Sequence, residues 1–470
     1  MFFPTKPGYF PASSPTSSKS MRCISKRALR FFSLLVVLGI IAWYFMIPQL
    51  ESAGLLPPLY QKYRDREDSL PHYDLDAPYP NGRHAKYLFV ANHQFGAGWG
   101  NVMQELLLNA LLAFEVKRSF VFYNYEWSPG SKYTLYNDHL IPSTIPLSAI
   151  ISGKTPLVGG PIDHPDVPRA VSVNYFRQVC PNRTIIPGDE LQEQLQGATG
   201  LQIFNAWVRK LEAVEDPCVE IPMGSPPIFS YTLFGSKDVL DLWPILSKSL
   251  MVTELDWSPL IHSTYSSNRR LFETSFPHFP ALSDTSKTSM PPPAIPGLLA
   301  LHLRRGDFVQ HCDVLAKWSS QFNGFNQFDE LPDKFRVPPG GGWGENTPEN
   351  FETYRQHCYP PVSQIVEKVL DVKRKVPGLN RVYIMTNGDR AWIDELTRAL
   401  QQQSSKKWKT ISSSRDLTLT WEQKFVAHAV DMYVAQRAHA FIGNGWSSLT
   451  SNAVMLRMAG KHDPNTTFFW

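Results

Sequence analysis

Apolar and polar positions along the chain fall into three regimes. Phe31 to Ile47 read FFSLLVVLGIIAWYFMI, an apolar run without a charge. Residues 48–85 mix prolines with the charged run QKYRDRED and show no period. From residue 86 onward, short apolar runs alternate with stretches of helical spacing, which is α/β patterning. KYLFVA (86–91) predicts a strand, NHQFGAGWGN (92–101) a loop and VMQELLLNALLAFEVK (102–117) a helix. In that helix Met103, Leu106, Leu107, Ala110, Leu111 and Phe114 recur at three-four spacing. SFVFY (119–123) predicts the next strand. A strand–helix–strand unit of this length implies parallel pairing.

The same pattern resumes after residues 258–296, a Ser/Thr/Pro-rich stretch ending SMPPPAIPG that reads as an interdomain linker or a surface excursion. GLLALHL (297–303), VYIMT (382–386) and AFIG (440–443) predict strands. Helices are predicted from Asp389, over 421–438 and from near Leu449. Residues 311–350, which contain GGGWGENTPEN, read as a long insertion loop. The expected body is therefore two Rossmann-like domains, 86–257 and 297–470, facing each other across a cleft. In open parallel sheets a ligand binds beyond the carboxyl ends of the strands.

The apolar run at 31–47 spans roughly 25 Å as a helix, near the lower limit for crossing a bilayer. Ala28 and Leu29 extend it if Arg30 snorkels. Charge distribution decides its orientation. The formal net charge is +4, but six of the 46 Lys and Arg lie within residues 1–30, which hold no acid. The remainder is thus slightly acidic, which argues against nucleic-acid binding. The basic flank puts the N-terminus in the cytosol. The expected layout is a basic tail (1–27), a signal-anchor helix (28–47), a Pro-rich stem (48–85) and a lumenal body, a type II topology. A cleaved signal peptide is the competing reading.

Cysteines and sequons agree with a secretory compartment. Cys180, Cys218, Cys312 and Cys358 would be lumenal and imply two disulfides with three possible connectivities. Cys23 lies beside the anchor on its cytosolic side. Asn182 and Asn465 begin N-glycosylation sequons. The pairs His311-Cys312 and His357-Cys358 invite a zinc site, but their spacing matches no short-range ligand pattern. A Cys312–Cys358 disulfide is the plainer expectation.

The sharpest chemical motif is HLRRGDF (302–308), where an apolar strand runs into His302, Arg304, Arg305 and Asp307. Guanidinium forks at a strand's carboxyl end suit a diphosphate. Strand parity puts His302 and Arg304 on one face and Arg305 on the other. Asp307 is placed to hold an arginine by an ion pair. An Arg-Asp pair capping a strand is the structural alternative, and an adhesion reading of Arg305-Gly306-Asp307 is discounted because the tripeptide directly follows a core strand. A second constellation runs DMYVAQRAHAFIGNGWSSLTSNAVMLR (431–457). Asp431 sits in an apolar helix, so its carboxylate needs a partner. Ser447 and Ser448 fall where a helix begins and either cap it or meet an anion there. The third is QFGAGWGN (94–101), whose Gly96, Gly98, Gly100 and Asn101 lie between strand and helix and could line a cleft. No G-x-S-x-G, H-E-x-x-H or Walker loop supports a hydrolase or NTPase reading.

HLRRGDF resembles the H-x-R-R-x-D motif of the GDP-fucose-dependent fucosyltransferases, a group comprising protein O-fucosyltransferases, alpha-1,6-fucosyltransferases and the bacterial nodulation enzyme. The glycine loop with its helix, and the Asp–strand–Ser-Ser–helix segment, are similar to that family's first and last motifs and occur in the same order. The resemblance implies a GT-B fold with GDP-fucose held mainly by the second domain. It implies that Arg304 contacts the β-phosphate and assists departure of GDP. Arg305 would support the pyrophosphate site, with Asp307 completing the catalytic set. His302 and Asp431 would meet the nucleotide, Asp431 at guanine, and Ser447 and Ser448 would hold phosphate oxygens. The reaction would invert the anomeric centre without a metal or other cofactor. Some protein O-fucosyltransferases carry a catalytic Glu where this chain has Ala97, and Glu105 is a nearby alternative. A protein Ser/Thr hydroxyl is the first-choice acceptor and a glycan the second. A catalytically silent lectin or scaffold is the reading from a different class. A Golgi or endoplasmic-reticulum membrane location accompanies the enzyme reading.

Overall fold

The computed structural model describes Leu34, Val36, Val37 and residues 55–273, 293–339, 347–404 and 406–470. The anchor expected at 28–47 and Cys23 lie outside these, apart from the three isolated positions. Among the described residues no helix is long and apolar enough to cross a membrane.

Ten strands form two five-stranded parallel sheets. The first comprises β1 (Tyr87–Val90), β2 (Ser119–Phe122), β3 (Val171–Ser172), β4 (Thr184–Ile185) and β5 (Cys218–Ile221), in spatial order β3-β2-β1-β5-β4. The second comprises β6 (Ile295–Leu303), β7 (Arg381–Thr386), β8 (Thr410–Ser413), β9 (Ala438–Gly443) and β10 (Thr467–Phe469), in order β8-β7-β6-β9-β10. Both orders reverse direction beside their central strand, at β1/β5 and at β6/β9. Such a reversal opens a crevice at the carboxyl ends of the strands, where α/β sheets place ligands.

The central strands are apolar throughout because helices cover both faces. On β6, Leu299, Leu301 and Leu303 join a core with Ile365, Val366, Leu396 and Leu400. Leu298 and Ala300 turn the other way, toward Ala429, Val430 and Val454. The helices concerned are α1 (Trp99–Glu115), α2 (Gly200–Glu212), α3 (Phe308–Lys317), α4 (Pro348–Cys358), α5 (Val362–Lys375), α6 (Arg390–Gln403), α7 (Ala427–Arg437) and α8 (Ser448–Ala459). Apart from Asn101, Phe114 and Glu115, α1 is buried along its whole length, and it meets α8 of the second sheet.

Three segments differ from the sequence reading. The expected stem is part of the body from Pro57 onward. Gln61–Glu67 forms a helix, the Tyr60 hydroxyl donates to Glu422 O at 2.7 Å, and the buried Glu67 carboxylate accepts from Ser148 N at 2.7 Å. The expected linker begins with a packed helix, Pro259–Ser267, capped by Ser258 and buried through Leu260, Ile261, Thr264 and Tyr265. The expected insertion loop opens with α3 and continues through buried Phe322, Phe325 and Phe328. In each case aromatic contacts and long-range hydrogen bonds, which leave no period in sequence, hold a proline-punctuated chain in place. The apolar stretch 421–438 is also broken, into Trp421–Lys424 and α7. The cysteines pair as Cys180–Cys218 and Cys312–Cys358. The second bridge takes both cysteines out of the zinc reading.

Candidate active site

The crevice at β6/β9 collects most of the expected residues. β6 delivers His302 and the turn Arg304–Asp307, while β9 delivers Asn444–Ser447 and the start of α8. Thr450, in the first turn of α8, ties the two together. Its hydroxyl oxygen lies 2.8 Å from His302 Nδ1 and accepts from Asn444 N at 3.2 Å. Trp470 Nε1 donates to His302 O at 2.7 Å. Burial, reinforced by Arg304, holds the His302 imidazole down at about 3, so it is neutral across the physiological range. Ser447 stands at the N-cap position of α8 without making a side-chain cap bond. Capping therefore does not account for it, and the first turn of α8 keeps its anion-favouring dipole.

Arg304 is part-exposed. Its Nη2 lies 3.4 Å from Asp307 Oδ2, and its guanidinium sits 4.8 Å from the Phe308 ring centroid. That is a long, solvent-touched ion pair, which orients the fork without neutralising it. Sequence reasoning missed the residue that sets the turn. Asn387, just past β7, accepts from Arg305 N at 2.7 Å and donates to Arg305 O at 2.9 Å and Asp307 Oδ1 at 3.2 Å. An Asn following an apolar strand was the available signal.

Arg305 lies apart from this group, as strand parity required. Its side chain is buried on the α5–α6 face, donates from Nη2 to Pro360 O at 2.6 Å and packs between Tyr359 and Trp392. The guanidinium turns away from His302 and α8, onto the face that strand parity gave it.

Asp431 has the partners its burial demanded. Its carboxylate accepts from Tyr383 Oη at 2.7 Å and Ser414 Oγ at 3.0 Å. Burial pushes its carboxyl up to about 6, against the pull of those two donors. Neither Tyr383 nor Ser414 was singled out in sequence.

The glycine loop borders the same crevice from the first sheet. Gly96 adopts φ +69°, a left-handed turn open to glycine, and its N donates to Glu126 O at 2.9 Å. Gly98 is exposed, and Asn101 is part-exposed. Gly100 does different work from the donor contact expected of it. A Cβ there would stand 2.6 Å from Leu449 N, so glycine permits α1 to meet α8. Asn452 Nδ2 bonds Gly100 O at 2.7 Å, and Gln104 Nε2 bonds Ser451 Oγ at 2.8 Å, across that junction. Gly100→Ala is expected to cost about 1–3 kcal/mol by overpacking against backbone. An unchanged denaturant midpoint would refute it. Glu105 is buried and accepts from Gln94 N at 2.6 Å, so it braces the loop from within rather than facing a substrate. Desolvation pushes its carboxyl up to about 7.

Comparison with known proteins finds a family likeness in the second half of the chain. The family model for GDP-fucose protein O-fucosyltransferase matches residues 256–459. Over that segment the chain is similar to the GDP-fucose protein O-fucosyltransferase family. The matched segment contains β6 to β9 and α8, hence His302, Arg304, Asp307, Asp431, Ser447 and Ser448. Among solved structures, POFUT1 in complex with GDP-fucose is 14% identical, with 82% of this chain and 98% of that chain covered and a TM-score of 0.48. POFUT1 in its apo form is 14% identical, with coverages of 84% and 99% and a TM-score of 0.46. Fucosyltransferase NodZ from Bradyrhizobium is 9% identical, with coverages of 78% and 92% and a TM-score of 0.37. No curated protein sequence matches the chain.

Proposed function

We propose that this chain is a GDP-fucose-dependent fucosyltransferase of the protein O-fucosyltransferase-like family, an inverting, metal-independent enzyme of GT-B type that moves fucose from GDP-fucose to a Ser/Thr hydroxyl of a secretory-pathway protein. The observation that carries the reading is the His302–Thr450 contact. It brings the turn bearing Arg304 against the α8 N-terminus at the reversal point of the second sheet. Arg304 offers a fixed positive fork, and the α8 dipole with Ser447 and Ser448 offers donors. Together they match the charge that develops as GDP departs. That charge needs no divalent cation if the arginine takes it up. Asp431 accepts from guanine N–H groups in this reading. Gly98 and Asn101 line the fucose side of the crevice. The enzyme is anchored as a type II protein of the Golgi or endoplasmic reticulum.

The deciding experiment is a panel of GDP-sugars offered with peptide and glycan acceptors and analysed by mass spectrometry. Fucosylated peptide is expected from GDP-fucose, with undiminished yield in chelator. Fucosylated glycan alone would move the acceptor to the alpha-1,6 type. Loss of activity in chelator, restored by Mn²⁺, would contradict the metal-free step.

A pH dependence follows from Asp431. Its carboxyl is raised from 3.8 in the folded chain, so its contribution to stability is full below 3.8 and is lost as pH rises through about 6. Guanine binding runs the other way, because only the carboxylate accepts well from N–H groups. Affinity for GDP-fucose is expected to fall by about tenfold per pH unit below 6. The diester phosphates of GDP-fucose do not titrate there, and Asp431→Asn should flatten the profile. An identical slope in Asp431→Asn, measured by calorimetry, would remove Asp431 from the guanine site.

A further inference from the structure

Four arginines among the described residues are buried: Arg118, Arg305, Arg381 and Arg457. A buried cation needs acceptors or a counter-charge. Arg457 spends all three of its nitrogens on Thr467 Oγ1, Ala435 O, Ala438 O and Thr466. Arg118 is held by the carbonyls of Val214, Asp216 and Pro217. Arg381 feels the carboxylate of Glu273.

Arg305 differs from all three. It is 5% exposed, its Nε is buried without a partner, as are two nitrogens of Arg381, and it alone of the four borders the cavity described below. It bonds only Pro360 O and Arg304 O, and among the described residues no carboxylate lies within ion-pair distance. Its guanidinium is clamped between Tyr359 and Trp392 at 4.3 and 4.2 Å from their ring centroids. That clamp fixes direction, because a planar fork between two rings is left with its edge free to bond. The fork borders a cavity of about 740 Å³, which is within the range of small-ligand sites. Arg355, Gln356 and Gln364 line the same cavity.

We infer that this cavity, on the α5–α6 face and separate from the His302–Arg304 crevice, binds a small monoanionic ligand whose oxyanion pairs with Arg305. The rest of the lining sets the ligand's class. Glu352 and Asp389 also border the cavity, which opposes a polyanion such as a nucleoside diphosphate. Asp389 is already engaged, accepting from Trp392 N at 2.8 Å as the cap of α6. The amides of Gln356 and Gln364 suit hydroxyl groups. One carboxylate or sulfate on a hydroxylated ring, as in an acidic monosaccharide, offers a single oxyanion to Arg305 and hydroxyls to the polar lining.

The test is calorimetry on the full chain saturated with GDP, titrated with glucuronate, with methyl sulfate and with glucose. Saturable one-to-one binding of glucuronate or of methyl sulfate is expected, and none of glucose. Whichever anion binds identifies the oxyanion geometry. Arg305→Met, which keeps the stacking stem, should weaken binding by about tenfold or more. Should that variant not fold, Arg355→Gln decides, with an expected loss of several-fold. Absence of saturable anion binding, equal binding of glucose, binding seen only without GDP, or unchanged affinity in the folded variants would each overturn the proposal. GDP affinity is read in the same cell, so failure of the donor reading shows separately.

Discussion

Arg304→Ala is expected to lower GDP-fucose turnover by about 10²–10³-fold, the usual cost of removing one donor aimed at a developing oxyanion. The loss should appear in kcat more than in KM, because the fork's contribution grows as the glycosidic bond breaks and charge collects on the β-phosphate. The geometry supports this partition. Asp307 stands 3.4 Å from Nη2, close enough to aim the guanidinium yet too far and too exposed to quench it. The Arg304 Nε is buried and has no partner. Arg304→Lys keeps the charge but loses the fork, so it should fall between wild type and alanine. Asp307→Asn removes only the aim and should cost less than either. GDP-fucose hydrolysis without acceptor, followed by release of GDP, measures all three variants whatever the acceptor is. Retention of more than about a tenth of wild-type turnover in Arg304→Ala would sink the role assigned here.

Arg304 also shows how far the sequence could be read. The strand HLRRGDF, its parity and its place before a Gly-Asp turn were all legible, since β6 is apolar along nearly its whole length and only a central parallel strand is so. Parity alone separated Arg305 from His302, and the structure keeps them on opposite faces. The partners were not legible. Thr450, Asn387, Tyr383 and Ser414 act on residues 17 to 148 positions away. No short-range spacing records such pairs. Gly100 was noticed for the wrong reason: a glycine loop before a helix suggests a ligand, whereas this glycine admits another helix. The segments 57–85 and 258–273 read as stem and linker because the first is broken by prolines and the second opens a Ser/Thr/Pro-rich stretch. Their order comes from buried aromatic rings, such as Tyr265 stacked on Phe272 at 5.1 Å, a contact that needs no period.

Opening the Cys312–Cys358 bridge, by Cys312→Ser or by the double serine variant, is expected to remove about 4 kcal/mol of stability on the chain-entropy estimate for a loop of this length. The bridge joins residues 46 apart and fastens α3 to the end of α4. Its consequence reaches the crevice through the backbone of the same segments. Cys358 O accepts from Asn444 Nδ2 at 2.9 Å, Ser320 O from Trp446 Nε1 at 3.1 Å, and Gly445 O from Asn323 N at 2.8 Å. These three bonds hold the loop that leads from β9 into α8. The bridged segments are therefore the outer wall of the α8 N-terminus, and loosening them should weaken donor binding as well as fold stability. The unfolding midpoint is expected to drop by several degrees, and GDP should restore less of it in the variant than in wild type, since ligand stabilisation scales with affinity for the folded state. Reducing agent opens Cys180–Cys218 as well, so it should lower the wild-type midpoint by at least as much, and its residual effect on the double variant measures that first bridge. A variant that melts with wild type would show that packing of Phe322, Tyr354 and Trp446 alone secures the wall. A variant that melts earlier but gains as much from GDP would show that the bridge supports the fold without reaching the site.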